Sequence, residues 1–512
     1  MPMTRLPTGL LMIVTALIVA ACAPAPPPPE PALPLLPTIE DDEEKDARIE
    51  AALEGEGPLT DQQAIDLMYI LSDESITVAQ RATDRIVAAE DERFIAVYIE
   101  LMRGDEIVIT GFRSPNSRVP PLQALSGQEF GPNWAEWLTW YGGTELAPPP
   151  GFLTWKGRLL GRIDSGFRTF IADDRAASED LRPEEIVWGG VRVDGIPSLD
   201  DPAHLLPDEA EYITPDEPVF GLFINGEARA YPLRIMDWHE MSNDTIGGVP
   251  IALAYCTLCG SAIAYDRRAS DGNTYTFGSS GLLYRSNKLM YDRETNTLWN
   301  HLTGEPVLGP LVGTGVEMDI WPVVLTSWAE WLERHPDTLV LNRDTGFSRP
   351  YELGAAYAGY FSFEGIWFPV AQRNSILEDK DQIFVLRADE SPKAYPLETL
   401  RDEQVVNDEV GGVEVVLVAA RPEILVDGVS QRSGPATYSA GSEVRAYARD
   451  GRSFSLGDDP DTLIDENGDA WQVTDSALVG PDGTELERQS GHLAYWFGFF
   501  AFFPTAPVYG FE

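Results

Sequence analysis

Two cysteines three residues apart, Cys256 and Cys259, and one histidine upstream, His239, are the residues whose types and spacing best fit chemistry. Thiolates at that spacing can point at one ion. Gly260, directly after the second, lets the backbone turn so that its N–H groups reach sulfur. His239 is the natural third ligand and Glu240 a weaker fourth. Asp237 or His301 are alternatives, and the position can also stay open to water or substrate. A Cys2His site of this kind holds one zinc ion as a Lewis acid, or one copper ion in the Cu(I) state. The same pair can form a structural or redox disulfide, or pack as free thiols. C-T-L-C-G reads as strand, turn, strand. That suits a metal knuckle better than a thioredoxin-type centre, whose first cysteine needs a helix N-terminus to lower its pKa. Arg285 and Asn287 are candidate pocket-lining residues. Asp292 and Arg293 read as a cross-strand ion pair and His301 as a surface or hairpin residue. His204, His335 and His492 read as loop or helix-end residues. No Walker loop, G-x-S-x-G elbow, H-E-x-x-H or dinucleotide fingerprint is present.

The chemistry depends on the compartment. Arg5 precedes an apolar run, Leu10 to Ala20, too short to span a bilayer, and V-A-A-C follows. This resembles a bacterial lipoprotein signal: residues 1–21 are removed and Cys22 is lipidated, placing the protein in the cell envelope, facing the periplasm or outside. A Pro-rich tether, 22–40, follows. Cys256 and Cys259 then sit in oxidising surroundings, where a bare dithiol oxidises. A net charge of −45, from 82 acidic against 37 basic residues, repels nucleic acid, so the expected partners are the membrane through its lipid and proteins.

The elements that must position these residues follow in order. Residues 41–150 read as a small helical domain, opened by the capping box Thr60 to Gln63 and suited to docking a protein partner. Trp134, Trp137 and Trp140 are expected in its core. Residues 151–215 read as a connector with little regular pattern. From 216 the pattern turns to short strands, beginning with a hairpin at Asn225-Gly226. Residues 230–253 and 394–417 match without a gap at ten of 24 positions, including Tyr-Pro-Leu, Asn-Asp and Gly-Gly-Val. The chain therefore reads as α+β, mostly β, with two tandem degenerate copies of a β-rich unit, 216–375 and 376–512. Residues kept in both copies are expected to be scaffold. Those in the first alone are candidates for function. His239 faces Glu403, Glu240 faces Gln404, and Cys256 and Cys259 face Ala420 and Glu423. The first copy also carries a longer stretch through G-S-S-G-L-L-Y-R-S-N, read as an enlarged loop.

W-H-E-x-x-N-D-T-I-G-G-V-P, Y-C-x-L-C-G-S-A and F-G-S-S-G-L-L-Y-R-S-N together resemble the bacterial and archaeal domain-of-unknown-function family 3179, over about residues 190–510. The resemblance implies domain limits and no activity. The leading expectation is metal handling or metal-dependent chemistry at His239, Cys256 and Cys259. The alternatives are a thiol–disulfide protein and a non-catalytic binding or scaffold module.

Overall fold

The computed structural model describes residues 34–511 apart from 112, 389 and 390. The signal segment, Cys22 and most of the tether lie outside the described residues. The protein is α+β and mostly β, with its helices concentrated at the N-terminal end. Among the described residues no helix is long and apolar enough to cross a membrane.

The helical part is built as its pattern implies. Thr60 caps Asp61–Asp73: the Gln63 N–H donates to its hydroxyl (3.2 Å), and its own N–H donates to the Gln63 side chain (3.1 Å). This fixes the entry angle and turns Leu67, Met68 and Leu71 into a core with Phe94, Val97, Tyr98 and Leu101. Trp134 and Trp137 are buried there, while Trp140 packs partly buried at the edge. Lys156 is fully buried. It reaches Glu100 (2.9 Å) and the carbonyl of Pro183 (3.1 Å), tying the helices to the chain that leads into the sheets.

Residues 151–215 are more ordered than their sequence implied. They hold helices Phe152–Leu160 and Phe167–Phe170 and the strands Ile186–Trp188, Leu199–Asp200 and His204–Leu205. Each strand is an edge whose partner lies far along the chain. Ile186 is opposite Tyr284, Leu199 opposite Ser242, and Leu205 opposite Val340. Strands recruited at long range leave no local hairpin signature.

Pro218–Ile224 and Glu227–Pro232 form the expected hairpin, with Asn225 at φ 50° and Gly226 at φ 84° in its turn. Pro232 caps the helix Leu233–His239, and Glu240, at φ 54°, ends it. Met241–Ile246 then pairs with Val249–Cys256 around Gly247 and Gly248. A Cβ on Gly247 would lie 2.3 Å from the Ile224 carbonyl oxygen, so this glycine is required by contact as well as by φ. Cys256 pairs with Ser261 in the next strand, Ser261–Asp266, so the C-x-x-C stretch is the tight turn between two strands. The stretch read as an enlarged loop is instead a long hairpin, Phe277–Tyr284 with Asn287–Asp292, buried along both strands. Its turn needs only Arg285 and Ser286, at φ 50° and 61°.

Gln382–Ala388, Ser391–Pro396, Leu397–Glu403, Val405–Val410 and Val413–Val418 follow in the same order of strand, strand, helix, strand, strand. Several contacts have counterparts. Tyr231 donates to Asp244 (2.5 Å) and Tyr395 to Asp408 (2.8 Å). Asn243 accepts from the Phe277 N–H (3.1 Å) and donates to the Phe277 carbonyl (2.8 Å). Asn407 brackets Phe454 at 2.8 and 2.8 Å. The Trp299 indole donates to Asp292 (2.9 Å) and that of Trp471 to Asp465 (3.2 Å). Asp292 and Arg293 are therefore not an ion pair. Asp292 also holds Thr295 and Thr297, while Arg293 pairs with Asp200 at 2.5 Å. Asp292 ends its strand and Arg293 opens the turn that follows, so the two side chains reach different partners.

Candidate functional site

Cys256 and Cys259 are joined as a disulfide across their turn. Cys256 is 2% exposed and Cys259 0%. The Cys259 N–H points back at the Cys256 sulfur, 3.3 Å away. Tyr360, Val370, Tyr495 and Phe497 pack around the pair. Two hydrogen bonds hold this cover down: the Tyr495 N–H donates to the Cys259 carbonyl (2.7 Å) and the Tyr360 hydroxyl to that of Leu258 (2.7 Å). Gly498 passes so close that a Cβ there would sit 3.1 Å from the Cys259 Cβ.

His239 is fully buried at the end of its helix. Its Nδ1 lies 2.8 Å from the Pro197 carbonyl oxygen, which only accepts, so Nδ1 carries the proton. Nε2 therefore accepts from the Tyr351 hydroxyl, 2.6 Å away. Burial holds the imidazole down to about 4, so it is neutral at ordinary pH. As folded, the expected ligands do not fit a Cys2His centre: the sulfurs are bonded to each other and both His239 nitrogens are engaged. Among the described residues no group of three or more His, Cys, Asp and Glu side chains is placed to hold a metal ion.

Glu240 has a different role. Its carboxylate accepts from the Thr257 hydroxyl (2.9 Å) and the Tyr357 hydroxyl (3.1 Å). Lys288 donates to the Glu240 backbone carbonyl (2.8 Å), with its carboxylate 3.5 Å away. Lys288 is buried, which pulls its ammonium below the usual lysine range while Glu240 pushes the other way. Asp237, one helical turn before, is buried with one oxygen unpartnered among the described residues, and burial and the neighbouring Glu240 push its carboxyl well up.

His301, expected at the surface, is fully buried. Its Nε2 is 2.8 Å from the Ser261 hydroxyl, and the Tyr265 hydroxyl donates to its backbone carbonyl (2.8 Å). Burial first, and then Lys288, pull the imidazole well below its usual range. Polar turn composition misled the reading of His301, because the second half of the chain covers this turn: Arg387 donates to the Leu302 carbonyl (3.0 Å). His204 lies 3.1 Å from Asp244 and His335 lies 2.8 Å from Asp475, so these also form internal contacts.

Arg285 and Asn287 part company. Arg285 pairs with Glu185 (2.7 Å), donates to the Ala501 carbonyl (2.8 Å) and lines a groove of about 1250 Å³ with Arg182, Asn300 and Phe502. Asn287 points inward beneath Gly498 and donates to its carbonyl (3.3 Å).

One segment reaches His239, Glu240 and the disulfide turn alike. Residues 342–381, mostly without regular structure, supply Tyr351 to His239, Tyr357 to Glu240 and Tyr360 to the disulfide turn. These tyrosines, with Lys288, Thr257 and Ser261, were not picked out from the sequence. Lys288 carried a signal: it is one of five lysines in 512 residues and stands directly before the apolar Leu289, Met290 and Tyr291. The tyrosines carried none, since a loop aromatic does not reveal its distant partner.

Comparison with known families places this geometry. The profile described as "Protein of unknown function (DUF3179)" matches residues 193–506, and the chain belongs to that family. The match takes in the disulfide turn, Glu240, Lys288 and the 342–381 segment. No curated protein and no solved structure shows a significant match.

Proposed function

We propose that this member of the family is a lipid-anchored, extracytoplasmic binding protein in which Cys256–Cys259 is a fixed fastener. The observation that carries the reading is the burial of the disulfide beneath Tyr360, Tyr495 and Phe497. Thiol exchange needs a thiolate to approach one sulfur, and that approach is closed. The same fastening explains why the pair has no counterpart at Ala420 and Glu423: only the first unit carries the 342–381 cover. We read the two β-rich halves as degenerate copies of one unit, supported by their matched Tyr–Asp, Asn-bracket and Trp–Asp contacts. Anchoring rests on the V-A-A-C pattern ending at Cys22.

Native alkylation of envelope-purified protein, read by mass spectrometry and with metal analysis of the same sample, tests this. The expected result is an acylated Cys22, with Cys256 and Cys259 unmodified until the protein is both denatured and reduced. Ready reduction in the native state would move the reading to a redox protein. Stoichiometric zinc or copper, lost in Cys256→Ser, would move it to a metal protein.

A further inference from the structure

A groove of about 500 Å³ runs between the helix Trp134–Gly142 and residues 366–369 of the cover segment. That volume falls within the range of ligand pockets, about 300–1,000 Å³. One side carries Trp140 and Phe130, whose rings pack edge-on 6.5 Å apart, and the other carries Trp367 and Phe368. Both sides are braced from behind. Phe130 meets the buried Trp137 ring at 5.1 Å, and Trp367 lies against Tyr360 at 4.8 Å. Yet Trp367 stays 46% exposed, and Trp140 and Phe130 are only partly buried. The surrounding segment is rich in such groups: Phe347, Phe363 and Ile376, all within 342–381, are exposed as well. A groove walled by fixed, half-open aromatic rings is the form that takes a proline-rich strand. Pyrrolidine rings lie on the aromatic faces, and the polyproline II backbone leaves its carbonyls free to accept. Asn133 and Thr139 line the groove and carry side-chain donors.

We propose that this groove is the docking site for the chain's own Pro-rich segment, residues 23–33. The segment holds six prolines and a single charge, Glu30. Its attachment point lies close by. Leu36 and Pro37 share a pocket wall with Thr110, just beyond the helix Phe94–Glu106. Arg103, in the last turn of that helix, lies 4.6 Å from the ring of Trp134, which stands between the groove residues Asn133 and Ala135. Reach is sufficient. At about 3.1 Å per residue such a segment spans about 34 Å, against a diameter of about 30 Å for a small domain. Charge agrees, because a net charge of −45 repels acidic peptides and this segment is nearly neutral. Linkage favours it too. A short tether holds its own segment at millimolar effective concentration, so a groove with a millimolar Kd is already about half filled. Docking takes up the slack between Cys22 and the body, and release lengthens the leash. Neither step involves Cys256 or Cys259, so the proposal stands apart from the fastener reading.

The test compares hydrogen exchange, read by mass spectrometry, in full-length protein purified from the envelope and in a variant carrying Pro26→Ser, Pro27→Ser, Pro28→Ser and Pro29→Ser. The four positions precede the first core residue, Leu36, so the fold is not at stake. Exchange at residues 130–140 and 363–373 is expected to rise at least about twofold in the variant, the loss of a half-filled site, and to stay unchanged elsewhere. A synthetic peptide of residues 23–33 should restore protection saturably in the variant, and should fail to do so once Trp367→Ala is added. Thr139→Trp, which fills the groove from its other side, should give the same block and serves if Trp367→Ala does not fold. Equal exchange in the two full-length proteins, or a peptide that protects the blocked variants as well, would overturn the proposal. Protection that follows added phosphatidylcholine vesicles and not the prolines would assign the groove to the membrane surface and overturn it too.

Discussion

Lys288→Met offers the sharpest check on the buried polar cluster. The ammonium donates to the Glu240 carbonyl at 2.8 Å and faces its carboxylate at 3.5 Å, and both residues are buried. Methionine keeps most of the side-chain volume, so little of the effect is a cavity. What remains is a carboxylate stripped of its positive neighbour. Removing one partner of a buried pair costs about 3–5 kcal/mol. Here Thr257 and Tyr357 still donate to the carboxylate, which places the expected loss near the lower end, about 3 kcal/mol. Adding Glu240→Gln should recover part of it, because the amide needs no counter-charge. Denaturant unfolding of the wild type, both single variants and the double variant closes the cycle. A Lys288→Met cost below about 1 kcal/mol, the value of an exposed pair, or strict additivity in the cycle, would refute the claim that these groups act as a buried pair.

Acid should destabilise the protein through its buried histidines. His239, held at about 4 against the usual 6.5, binds its proton more readily when unfolded, so its stabilisation is complete above 6.5 and is lost as pH falls towards 4. The shift corresponds to about 3 kcal/mol. His492, held at about 3, acts with the same sign from 6.5 down to about 3, while Asp237, pushed up, works in the opposite direction. His239→Gln should flatten the melting profile between pH 6 and 4, and an unchanged slope counts against a neutral buried ring. Gly247→Ala and Gly411→Ala should each cost at least about 2 kcal/mol more than Gly248→Ala and Gly412→Ala. All four have positive φ, but only the first two would drive a Cβ into a carbonyl oxygen, at 2.3 and 2.4 Å. Equal melting temperatures across the four would contradict this. Opening the disulfide with Cys256→Ala and Cys259→Ala releases a loop closed by a sequence separation of 3. Chain entropy sets that loss at about 2 kcal/mol, and calorimetry finding no loss would show the bridge to be idle.

Much of the scaffold was legible in the chain. The Thr60 capping box, the Asn225-Gly226 hairpin and the Gly247-Gly248 turn were all readable, because each depends on residues within a few positions of one another. The same locality misled at His301 and at the G-S-S-G-L-L-Y-R-S-N stretch. Polar and glycine-rich composition looks like exposed loop until a distant segment is seen to cover it.

At the site the division is similar. The sequence alone determined that Cys256 and Cys259 share a turn between two strands, since spacing and local conformation settle that point. Only the tertiary structure decided who meets whom. His239 turns to Pro197 and Tyr351, Glu240 takes Thr257, Tyr357 and Lys288, and the sulfurs close on each other beneath Tyr360 and Tyr495. The physical reason is that these partners come from other elements, from Thr257 in the next turn to Tyr351 and Tyr357 in a distant segment. Their geometry comes from the packing of whole sheets and of the 342–381 segment, which residue type and spacing do not encode.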